Sequence, residues 1–150
     1  METTFALARW RQDRVRSLKS IGALLAGMVV GIALSLGTDK VFRLTGLFPA
    51  LGQSMAGYDR AFLLATVART VYGVLSSYLT ACLAPFRPMQ HALLGGFLGL
   101  AANTVGVVVA LLKPALGPIW YPLALIVLAL PTAWVGGKLR VRQLNTIARQ

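Results

Sequence analysis

Charge is scarce in this chain and almost all of one sign. Only 13% of its 150 residues are charged, with 4 Asp or Glu against 15 Lys or Arg. Soluble domains carry about a quarter charged residues, so a composition that is 57% hydrophobic excludes an ordinary water-soluble globule. A formal net charge of +11 is a nucleic-acid signature on a polar chain. On a chain this apolar it points to a lipid bilayer instead, and no nucleic-acid partner is expected. The single cysteine, Cys82, excludes an internal disulfide framework and a Cys-rich metal site. The single histidine, His91, excludes a bis-histidine haem and a self-contained histidine zinc site. Neither metal nor cofactor is expected.

Reaction signatures are also missing. There is no His-Glu-x-x-His, no intramembrane aspartate pair, no Gly-x-Ser-x-Gly and no phosphate-binding Gly-rich loop. His91 suits a capping or interfacial role, and Cys82 a small packing position rather than a reactive thiol. A non-enzymatic protein is expected.

Long apolar runs are what the chain does have. A bilayer core of about 30 Å takes about 20 residues of helix, and four stretches qualify: about Ser20–Leu36, Ala61–Ala84, His91–Leu112 and Ile119–Gly136. They are continuous and too long for alternating barrel strands, so the predicted fold is an all-α, integral membrane four-helix bundle. Pro85 and Pro88 punctuate the second connection, and Pro114, Gly117 and Pro118 the third. Pro122 falls in a first helical turn, where its missing N–H is harmless, while Pro131 frees a carbonyl inside the fourth span and favours a kink. Asp59 reads as the N-cap of the second span. No small-residue cleavage site follows Leu36, so the first span reads as a retained anchor.

Basic residues predict the direction of threading. Arg9, Arg11, Arg14, Arg16, Lys19, Arg87, Lys138, Arg140, Arg142 and Arg149 fall on one side, against Lys40, Arg43, Arg60 and Lys113 on the other. Both termini, with basic arms 1–19 and 137–150, are therefore expected in the cytoplasm. Tyr58, Trp120 and Tyr121 then lie at the outer interface and Trp134 at the inner one, as aromatic belts prefer. Thr3–Lys19 can form a helix with Leu7, Trp10 and Leu18 roughly on one side, either resting on anionic lipid or remaining a solvated arm. The long outer connection is 37–60. Within it Thr38–Leu44 can prolong the first helix to a C-cap at Gly46. The apolar Leu47–Leu51 can lie on the membrane surface or cover the bundle.

Small residues recur at helical spacing: Gly27, Gly31 and Ser35 in the first span, Gly73, Ser77 and Ala81 in the second, and Gly95, Gly99, Asn103 and Gly106 in the third. Such faces let membrane helices approach closely, either within one bundle or across a homodimer seam. Arg69 is the sharpest residue. It lies about 13 Å along the helix from Arg60, where a charge costs at least about 2.5 kcal/mol on insertion scales. Thr66, Tyr72, Gly73, Ser76 and Thr80 share its helix face. Its side chain leans towards the helix N-terminus, which brings Asp39 within reach if the first helix continues. Asn103 is the neutral alternative at similar depth. A polar cluster of Arg69, Tyr72, Ser76, Asn103 and Asp39 follows, readable as a helix tie, an anion or lipid-headgroup site, or a snorkelling arginine.

The runs RTVYGVLSSYLTACLAPFRPMQHALLGG (Arg69–Gly96) and WYPLALIVLALPTAWVGGKLR (Trp120–Arg140), with the GTD…TG.FP pattern of Gly37–Pro49, resemble an uncharacterised family of small bacterial four-helix inner-membrane proteins. The resemblance implies topology and a bacterial inner-membrane location, and no activity, cofactor or partner. The membrane-embedded glutamate of the small multidrug exporters is missing. The charge bias disfavours the dual-topology dimer of the fluoride channels. Two functions remain: a structural or accessory subunit packing with itself or a larger membrane complex, and a subunit of an oligomeric small transporter or channel with an Arg69-centred anion or substrate site.

Overall fold

The computed structural model describes residues 2–149, with side chains described at residue 12 and over 14–149. The described residues form four α-helices and no strand: α1 (Glu2–Leu44), α2 (Asp59–Leu83), α3 (Pro88–Leu112) and α4 (Trp120–Ile147), with a 3₁₀ turn at Pro114–Leu116. All four are long and apolar enough to cross a membrane. The expected side of Leu7, Trp10, Arg9 and Arg11 lies outside the described side chains.

The helices extend beyond the expected spans. From residue 2, the segments expected as basic arm, first span and start of the following connection are one 43-residue helix, about 64 Å at 1.5 Å per residue. It ends as expected, with Gly46 at φ +76° in the left-handed region that favours glycine. The connection is therefore only 45–58. α4 likewise runs past Gly136 to Ile147, within the expected C-terminal arm. Asp59 is not an N-cap. Tyr58 holds that position without a side-chain bond, and Asp59 in the first turn accepts instead from Trp120 Nε1 at 2.8 Å. The α2–α3 turn passes through Arg87 at φ +44°. Pro88 starts α3 where its missing N–H has no partner to lose. His91 is buried beside this turn, with Nδ1 3.3 Å from the Arg87 carbonyl and its ring edge-on to Phe86.

Packing follows small residues. Among the described residues, the buried apolar side chains other than Phe48, Phe62, Pro49 and Pro122 are alanines: Ala23, Ala61, Ala65, Ala81, Ala92, Ala110 and Ala133. Large side chains such as Leu25, Val29, Ile32, Val67, Phe97, Val105 and Val127 project outward. α4 packs closely on α2 and α3, and α1 lies along α2 with slight contact to α3 and none to α4. The bundle is thus closed on one side and open between α1 and α3.

The expected packing glycines divide. At Gly27 a Cβ would fall on Thr80 Oγ1, at Gly31 it would stand 2.7 Å from Ser76 Oγ, and at Gly73 3.0 Å from Thr132 Oγ1. Gly95 and Gly106 have looser neighbours, Leu24 at 3.9 Å and Pro122 at 3.5 Å. Gly99 is a correction, because nothing lies within 4 Å of its Cβ position; it faces open space rather than another helix. Three tight approaches were not anticipated. A Cβ at Gly136 would stand 2.6 Å from the Val74 carbonyl, at Gly96 2.5 Å from Ala133 Cβ, and at Gly137 2.6 Å from Met89 Sδ. Gly136→Leu should therefore lower stability by about 1–3 kcal/mol through overpacking, whereas Gly99→Leu leaves it nearly unchanged. Thermal melts of the two variants in one detergent check the order.

Candidate functional site

The antiparallel seam between α1 and α2 carries the polar cluster. Continuation of α1 through Gly37 brings Thr38 and Asp39 opposite the face of α2 that bears Arg69 and Tyr72. Arg69 Nη2 donates to Asp39 Oδ2 at 2.8 Å, with the two side chains 24% and 22% exposed. The Arg69 guanidinium also sits 5.1 Å from the centre of the Tyr121 ring, a favourable cation–π distance. One residue before Asp39, Thr38 Oγ1 lies 2.7 Å from Tyr72 Oη and 3.0 Å from the Leu34 carbonyl. Further along the seam Ser76 meets Gly31 and Thr80 meets Gly27. Thr80 Oγ1 donates back to the Ser76 carbonyl at 2.9 Å.

Of the two expected partners for Arg69, the structure selects Asp39. Asn103 lines the same cavity as Arg69 but makes no hydrogen bond among the described residues. Tyr72 belongs to the cluster through Thr38 rather than through Arg69. The Ser76 hydroxyl oxygen is buried without a partner, as is the Tyr121 hydroxyl. Sequence reading placed Tyr121 in an interfacial belt and missed its role over Arg69, since only the close side-by-side packing of α2 and α4 brings the two together. Thr38 was likewise missed as a partner for Tyr72; its only signal was its place beside Asp39.

Beyond Arg69, one end of the bundle is closed by rings. Phe42, Phe48, Phe62 and Tyr121 stack in sequence with centroids 5.4, 5.1 and 4.9 Å apart. Phe48 reaches this cluster because the 45–58 connection folds back, its amide donating to the Phe42 carbonyl at 2.9 Å. This settles the open reading of Leu47–Leu51 at Phe48, which covers the bundle with 4% exposure. The Met55 amide bonds the Ala115 carbonyl at 2.8 Å, joining the two connections over the same end. Gly117 permits the closure, for a Cβ there would stand 2.5 Å from the Phe62 ring.

Between α1 and α3 lies an open cavity of about 370 Å³. Gly31, Ser35, Arg69, Gly99, Asn103 and Leu128 are among its walls. A second cavity of about 340 Å³ shares Ser35, Arg69 and Asn103 and continues to Phe62 and Tyr121. Groups of three or more metal-ligating side chains are absent among the described residues. No family model matches the chain, and neither a curated protein nor a solved structure matches it.

The ion pair makes a quantitative prediction. Removing one partner of a part-buried pair strands the other, so Arg69→Leu and Asp39→Leu should each cost about 1–3 kcal/mol, and the double variant less than their sum. A double-mutant cycle in detergent should give coupling above about 1 kcal/mol for Arg69 with Asp39, and below about 0.5 kcal/mol for Arg69 with Asn103.

Proposed function

We propose that this protein is a non-enzymatic, multi-pass subunit of a bacterial inner membrane, structural or accessory in role, packing with itself or with a larger membrane complex. The observation that carries this reading is the inversion of its packing. Alanines and glycines occupy the helix seams while leucine, valine and isoleucine side chains cover the outside. Contiguous exposed apolar surface on this scale belongs against lipid or other membrane helices. Pairing of Arg69 with Asp39 fits a tie between helices better than a free anion site, because the guanidinium already has its counter-charge.

Both termini are assigned to the cytoplasm on the basic-residue count. Arg14, Arg16 and Lys19 on α1, Arg87 in the α2–α3 turn, and Lys138, Arg140 and Arg142 on α4 gather at one end of the bundle. Pro85 of the turn lies beside Arg16 and Lys19, and Tyr78 Oη of α2 donates to Gln143 Oε1 of α4 at 2.9 Å. Lys138 Nζ lies 4.0 Å from the Trp134 ring centre, an arrangement suited to an anionic lipid interface. With Cys82 replaced by alanine, an impermeant thiol reagent on intact cells should label a cysteine at Gln53 and leave one at Asn145 untouched. The reverse pattern overturns the orientation.

The second reading, a transporter or channel subunit with Arg69 at its site, draws support from the cavity beside that residue. Native mass in mild detergent and liposome flux separate the two. The accessory reading predicts a defined oligomer or stoichiometric complex and no anion flux above empty vesicles. Flux that Arg69→Leu abolishes would establish the second reading instead.

A further inference from the structure

We propose that the cleft between α1 and α3 binds a neutral single-chain amphiphile whose carbonyl- and hydroxyl-bearing head sits against Arg69 and Asn103. The cleft, at about 370 Å³, lies within the usual range of ligand pockets, about 300–1,000 Å³. Leu24, Met28, Ile32 and Leu128 supply apolar wall. The Thr80 and Thr132 hydroxyls on the same walls are spent on carbonyls of their own helices, whereas Arg69 and Asn103 keep unused hydrogen-bonding capacity. An acyl chain with one polar head matches such a cleft.

Two features of the polar end specify the head. Asn103 is half-buried on the cleft wall with no hydrogen-bond partner among the described residues, so its amide is free to pair with a ligand. It both donates and accepts. Arg69 offers five N–H donors and gives one bond, through Nη2, to Asp39. The Arg69–Asp39 pair is already neutral, so an anionic head would bring an unmatched charge into a low-dielectric site. An uncharged head supplies a carbonyl to Arg69 and both a donor and an acceptor to Asn103 without that penalty. The position of Gly99 leaves room for the chain, since nothing lies within 4 Å of where its Cβ would be. This inference goes beyond the accessory role and needs no protein partner.

The full chain, purified in mild detergent, is titrated with 1-monoolein and separately with oleate and oleyl phosphate, and adducts are counted by native mass spectrometry. The expected result is saturable binding of one monoolein per chain, at least ten-fold tighter than either charged comparator. Gly99→Leu should weaken it ten-fold or more while the melting temperature is kept. Asn103→Leu should weaken it about ten-fold and serves as the second variant if Gly99→Leu does not fold. Tighter binding of oleate or oleyl phosphate, unsaturable adducts, or binding indifferent to both variants overturns the proposal. So does a homodimer that Asn103→Leu dissociates, because the cleft would then be filled by a second copy.

Discussion

A guanidinium ten residues into an apolar helix requires a counter-charge, and much of one end of this molecule is arranged around that requirement. Arg69 lies about 15 Å along α2 from Asp59, too deep in an apolar segment to remain unpaired cheaply. Its counter-charge, Asp39, is in place only because α1 stays helical through Gly37 to Leu44. That extension also delivers Thr38 to Tyr72 and Phe42 to the aromatic stack. The connection must then turn back over the bundle, which buries Phe48 against Phe62. Tyr121 completes the arrangement by offering one face to Arg69 and packing on Phe62. Charge pairing, helix length and the aromatic closure are one linked constraint.

Elsewhere the governing physics is close approach. In lipid, helices gain little from hiding leucine, since the tails are equally apolar. Association relies on dispersion contacts, which require backbones to come near. The Gly136 approach to Val74 and the Gly96 approach to Ala133 show how α4 fits α2 and α3. α1 has fewer such approaches, at Gly27 and Gly31 with α2 alone, and stands away from α4.

The helices themselves were legible because apolar run length is a strong signal, and so was the direction in which Arg69 reaches. Helix ends were less legible. Nothing in the composition of 1–19 or 137–147 separates a helix continuing past an apolar run from an arm leaving it, and residues 2–19 and 137–147 are helical. Which glycines are tight could not be read from spacing alone. Gly99 shares the three-to-four spacing of Gly31 yet meets nothing, because contact depends on which helix lies opposite, a property of the assembled bundle. The same reason hid Tyr121, whose distance in sequence from Arg69 conceals their contact.

Arg69 and Asn103 pose the same physical problem within one fold and receive opposite answers. Both are polar groups inside apolar helices, and both line one cavity. Arg69 is matched by a carboxylate and an aromatic face, so its charge is compensated within the bundle. Asn103 has neither, although Thr104 beside it satisfies itself on the Leu100 carbonyl at 2.9 Å. Leucine at that position would break no hydrogen bond among the described residues. On the proposal made above, the Asn103 amide serves the occupant of the cleft. The division of labour runs along the helices: α1 and α2 hold the charge, while α3 presents the unfilled hydrogen-bonding group to the open side.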